Sequence, residues 1–195
     1  WVKNLALTHL GWLGAYDVET VMPILLSEFP TQDCDPKAKD KLTDDEVGQL
    51  IERRMRSADA MAQIGKISEV AIESLCTCSM SSGHSDDMWR ISTALSRAGT
   101  PRAMECLTEV VANAEYDSER WEMEESNRFN LRSEGGRLLV LATSPTPENI
   151  AKVKAAFANQ KDAKVKEGLK KWEPAIQLME ECKEDSACYR KKLDD

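Results

Sequence analysis

The chain has little of what builds a sheet. Glycine occurs nine times and phenylalanine three times in 195 residues. Runs of β-branched residues are scarce, and no stretch alternates apolar and polar residues over the length of a strand. Long apolar runs are missing too. The longest is Leu138–Ala142, far below the roughly 20 residues that a membrane-crossing helix needs. Histidine appears only as His9 and His84. There is no glycine-rich phosphate loop, no H-E-x-x-H and no G-x-S-x-G, so the common phosphate, zinc-protease and serine-hydrolase signatures are absent. Positive charge is short as well. The net charge is −8, and nucleic-acid binding rests on clustered Lys and Arg against phosphates. The one dense basic stretch, Lys161–Lys171, is interrupted by Asp162 and Glu167 and is expected to be a solvated helix face.

What remains is helical. Hydrophobic residues at 42% and charged residues at 31% fit a soluble, all-α chain long enough to bury a sizeable core. Five stretches align on a central turn: Leu5–Phe29, Met55–Ser79, Trp89–Ala114, Gly136–Gln160 and Ala175–Asp195. Each reads as an apolar helix, a short turn and a second amphipathic helix. The turns fall near Gly14, Gly65, Gly99, Ser144 and Glu184, and a recurrence at this irregular but similar spacing is the mark of a repeat architecture.

Turn chemistry agrees. Thr100-Pro101 and Thr146-Pro147 each set an N-cap hydroxyl before a proline at the first helical position, where a missing N–H costs nothing. Asp17, Ser68, Ser85 and Asp185 are further candidate N-caps, and Thr43-x-x-Glu46 reads as a capping box. In the second helices Ala103, Leu107, Val110, Val111 and Ala114 form one apolar stripe, and Ile150, Val153 and Phe157 another. Pro23 is expected to kink or delay its helix. Residues 30–42 read as a polar loop or insertion, and the charged stretch Glu115–Arg132 as an extension of a first helix.

Paired helices with a small or Gly-Thr-Pro turn, best seen in Ala94–Val111 ("ALSRAGTPRAMECLTEVV"), resemble HEAT repeats. The resemblance implies an α-solenoid: residues 1–195 as a single array of about four to five hairpins. The chain lacks the Asp that usually follows the turn in this family and the Val-Arg in the next first helix. The tail "ECKEDSACYRKKLDD" is similar to cysteine-bearing hairpins of some bacterial HEAT-repeat proteins, which implies an array continuing past Asp195. Together with an opening Trp1 in place of Met, this favours a fragment of a longer protein.

Six cysteines invite three readings. Cys182 should lie near the end of one helix and Cys188 about one turn into the next, a geometry within bridging range, so a disulfide staple is expected there. Cys76-Thr77-Cys78 with His84 spells C-x-C-x5-H, a thin metal signal without a fourth ligand. Buried packing thiols are favoured for Cys76, Cys78 and Cys106, with a Cys34 bridge to Cys76 or Cys78 as the competing arrangement. No metal and no cofactor are expected.

Catalysis finds little support. His9 sits in an apolar helix and is expected to be a packed or rim residue. The carboxylates from Asp117 to Glu125 read as a charge run on a solvated face. The expected function is a non-catalytic scaffold that presents its second helices to a protein partner. The candidate contact residues are Glu69, Glu73, Arg102, Glu105, Glu109, Asn113 and Lys152, an acidic-to-mixed ridge suited to a basic or mixed-charge segment. Neither nucleic acid nor membrane insertion is expected. The alternatives are a HEAT-like enzyme of the lyase type, which would need a bound chromophore, and a structural spacer or envelope component. The cysteines tilt the expected location towards a periplasm or cell surface rather than the cytoplasm.

Overall fold

The computed structural model describes residues 2–34, 41–79, 85–112, 135–141 and 143–194. Helices and turns account for them, with no strand among the described residues. In chain order the helices are α1 (Val2–Gly14), α2 (Val18–Ser27), α3 (Asp44–Ile64), α4 (Glu69–Ser79), α5 (Ser85–Ala98) and α6 (Pro101–Ala112). Residues 135–141 are helical, followed by α7 (Pro147–Asn159), α8 (Ala163–Leu169), α9 (Glu173–Cys182) and α10 (Ser186–Asp194). Short 3-10 turns cover Gln32–Cys34 and Lys170–Trp172. No described helix is long and apolar enough to cross a membrane.

The helix ends follow from the residues at them. Thr43 caps α3 with its hydroxyl, which accepts from the Glu46 N–H, while the Glu46 carboxylate accepts from the Thr43 N–H at 2.8 Å. That reciprocal pairing satisfies two of the donors a helix start leaves open, and the Thr43 N–H holds the Glu46 carboxyl below its usual pKa. Asp17, Ser68, Thr100, Thr146 and Asp185 each accept from a backbone N–H in the first turn of their helix. Gly65 and Gly99 end α3 and α5 at φ of 72° and 59°, the left-handed conformation that glycine adopts without a Cβ penalty. The turn at Glu184 has no glycine. Lys183 and Glu184 both take positive φ, at a cost on the order of 1 kcal/mol each. A Glu184 N–H bond to the Pro145 carbonyl, 2.9 Å long, helps hold that conformation.

Pro23 does not delay α2, which starts at Val18 and runs to Ser27 with Pro23 exposed inside it. The segment after α2 is anchored to the core at two points. Pro30 and Cys34 are buried. Residues 35–40 and the charged stretch Glu115–Arg132 lie outside the described residues.

The chain divides into two compact units, Trp1–Ala103 and Met104–Asp195, with the division falling inside α6. In the first unit α1 packs on α3 and α3 on α5, while α2 reaches α1, α3 and α4. The α1–α3 contact depends on small residues. A Cβ at Gly11 would stand 2.9 Å from the Ala60 Cα, and one at Gly14 would collide with Ile64. Both glycines therefore face inward and allow a close backbone approach. The core continues through Met61, Ile72, Leu75, Ile91 and Leu95, all essentially inaccessible. In the second unit α7 packs on α8 and α9, and α9 on α10. Leu139, Val153, Val165, Leu169 and Met179 fill its interior.

Candidate functional site

The expected contact residues are exposed where they are described. Glu69, Glu73 and Arg102 belong to the first unit, and Glu105, Glu109 and Lys152 to the second. Asn113 lies outside the described residues. Exposure does not leave them all available. Arg102 donates to both carboxylate oxygens of Glu73, Nε to Oε1 at 2.6 Å and Nη2 to Oε2 at 3.0 Å. This fork-on-fork pairing lowers the Glu73 pKa and cancels two of the charges on which the ridge was to rely. Lys152 pairs with Glu148 one helical turn away at 2.9 Å. The hydrogen bond from Lys152 holds the Glu148 carboxyl below its usual value. On Lys161–Lys171 the lysines point to solvent while Val165 and Leu169 turn inward, as expected of a hydrated face.

All six cysteines are oxidised. Cys182 and Cys188 are bridged across the α9–α10 turn with a Cα–Cα separation of 5.6 Å. Cys34 is bridged to Cys78 at 5.0 Å, across 44 residues of sequence. Cys76 and Cys106 are disulfide-bonded as well, and no cysteine is free. The expectation of buried thiols therefore fails. Cys34 and Cys78 are buried as packing residues would be, but covalently joined. With no thiolate left, Cys76 and Cys78 can serve neither a metal nor a nucleophile's role. His84 is outside the described residues. His9 is exposed on α1, at the rim rather than in the core. Among the described residues no cluster of His, Cys, Asp or Glu has the arrangement of a metal site.

Sequence reasoning missed the most buried charges. Arg54 on α3 and Asp87 on α5 have side chains 1% and 0% exposed, and pair at 2.5 Å. Arg54 also donates from Nε to Asp87 at 2.7 Å and from Nη1 to the Pro30 carbonyl at 3.3 Å. The signal was present in register. Arg54 falls in the inward stripe with Ala58 and Met61, where a long charged side chain requires a partner. Nearby, Asp59 pairs with Arg90. Burial raises the Asp59 pKa, and the guanidinium pulls it back.

A second feature missed was the outer face of α1. Because Gly11 and Gly14 turn inward, the large side chains turn out: Trp12 is 71% exposed, Leu13 60% and Tyr16, just past the helix, 93%. The first unit also carries a groove of about 550 Å³ between α2 and the turn into α4, lined by Met22, Pro23, Leu26, Ile67 and Val70, with Glu19 and Lys66 at its edge. In the second unit a cleft of about 460 Å³ lies over Phe157, Leu169 and Ile176, bordered by Lys154 and Lys166. Lys154 is paired with Glu180 at 2.5 Å. These surfaces can recognise apolar groups flanked by charge. No protein-family model, no curated protein and no solved structure matches the chain.

Proposed function

We propose that the chain is a non-catalytic protein–protein interaction scaffold built as an α-solenoid of HEAT-like hairpins. The observation that carries this reading is the outward Trp12, Leu13 and Tyr16 at the outer face and end of α1. Contiguous exposed apolar surface marks interaction sites, and Trp and Tyr dominate binding energy where they anchor an interface. Packing of α1 on α3 and of α3 on α5 supports the stacked arrangement, in which each hairpin covers the next. The second helices carry the secondary surfaces: with Glu73 engaged by Arg102, Glu69 in the first unit and Glu109 in the second are the carboxylates offered to a basic or mixed-charge segment. The oxidised cysteines fit an oxidising environment, and we place the protein in a periplasm or at a cell surface.

The test is affinity capture with the oxidised chain, followed by cross-linking and peptide mapping. Trp12→Ala/Tyr16→Ala should lose the partners held by the unaltered chain while its helical content stays the same. Equal recovery by both proteins would sink the reading of this face.

A further inference from the structure

Resting on the scaffold reading above, the geometry points to the α2 groove as a seat for an amphipathic helix of a partner protein, with a Lys or Arg of that helix set against Glu19. Three observations converge there. The floor and walls are apolar: Pro23 and Val70 are exposed, Val70 to 65%, while Met22 on α2 and Ile67 in the turn before α4 are buried beneath them. Apolar grooves of this kind accept helices through side chains spaced three and four residues apart.

The second observation is a backbone acceptor. Proline has no N–H, so Pro23 cannot donate to the carbonyl four residues before it, that of Glu19. Both residues line the groove. Glu19 thus presents a carboxylate and a carbonyl lacking its helical donor at one position. A Lys ammonium or Arg guanidinium, a multiple donor with positive charge, answers both. The third observation is charge. Neither Glu19 nor Lys66 forms an ion pair with another described residue, so the groove edge offers one carboxylate and one ammonium. A partner helix of mixed charge fits it better than a wholly acidic or wholly apolar one.

The chemistry is tested with a displayed library of random 16-residue peptides selected on the full oxidised chain. Enriched peptides should carry apolar residues at three- and four-residue spacing with at least one Lys or Arg. Their affinity should fall about tenfold or more on Glu19→Lys and on Val70→Glu. Replacing the peptide's basic residue with Glu should restore binding to Glu19→Lys alone, a recovery that a folding defect would not produce. Peptides that ignore Glu19 and Val70 but lose binding in Trp12→Ala/Tyr16→Ala would overturn the groove and leave the scaffold reading standing. Failure to enrich any peptide on the folded chain would overturn both.

Discussion

The N-terminal unit holds a full ion pair in its interior, Arg54 against Asp87, whereas the buried polar tethers described in the C-terminal unit are neutral. There Gln160 donates to the Val111 carbonyl at 2.6 Å, and the Tyr189 hydroxyl to the Val140 carbonyl at 3.1 Å. The covalent tethers differ in the same sense. Cys34–Cys78 joins segments 44 residues apart, and Cys182–Cys188 spans six. A buried charge is tolerable only while its partner is present. A neutral hydrogen bond loses far less when broken. The first unit therefore relies on an all-or-nothing ion pair and a long-range bridge, and the second on neutral hydrogen bonds that fail singly, each spanning 49 residues, and on a local bridge.

The sharpest way to break that contrast is to remove one charge. Asp87→Ala should destabilise the chain by about 3–5 kcal/mol, because Arg54 is left buried and uncompensated. Arg54→Met with Asp87→Leu should recover most of the loss. Urea unfolding of the two variants decides it: a double variant as unstable as the single one would mean that lost packing, not stranded charge, sets the cost. Next come the bridges. From loop closure alone, Cys34→Ala/Cys78→Ala should cost about 4 kcal/mol and Cys182→Ala/Cys188→Ala about 2 kcal/mol, measured by the same unfolding under oxidising conditions. Equal costs would erase the long-range versus local distinction. The smallest effect belongs to the neutral tethers. Tyr189→Phe should cost about 1 kcal/mol, read as a small drop in unfolding midpoint. Burial holds the Tyr189 phenol far above its ordinary pKa, so that bond should persist through alkaline conditions that ionise an exposed phenol.

What the sequence made legible was local. Gly65 and Gly99, and the Thr-Pro pairs at Thr100 and Thr146, encode helix ends within a few residues of themselves, and each acts where its chemistry says it should. The Cys182–Cys188 bridge was readable for the same reason, since one turn sets its geometry. Partners distant in sequence were not. Arg54 sits in an inward register that demands a counter-charge, but nothing near it names Asp87, 33 residues on. Glu73 and Arg102, 29 residues apart, looked like two free contact residues and are one closed pair. α1 failed differently. Apolar residues surround it, so periodicity alone could not choose its buried side. The choice fell to Gly11 and Gly14, whose lack of bulk lets α3 approach and sends Trp12 and Leu13 outward.

The position of Cys78 has a consequence for how the chain is made. During synthesis Cys34 waits for a partner, and Cys76 becomes available two residues before Cys78. On a helix, two residues correspond to a rotation of about 200°, so the two sulfurs leave α4 on nearly opposite sides. Only once α4 has coiled and laid its Ala71, Ile72 and Leu75 face against the core does Cys78, and not Cys76, meet Cys34. The helix thus acts as a proofreader: a bridge made early to the wrong thiol is incompatible with the coiled segment and must be exchanged. Pairing in this register thus follows from the coiling of α4, which selects Cys78 by the side of the helix it leaves from.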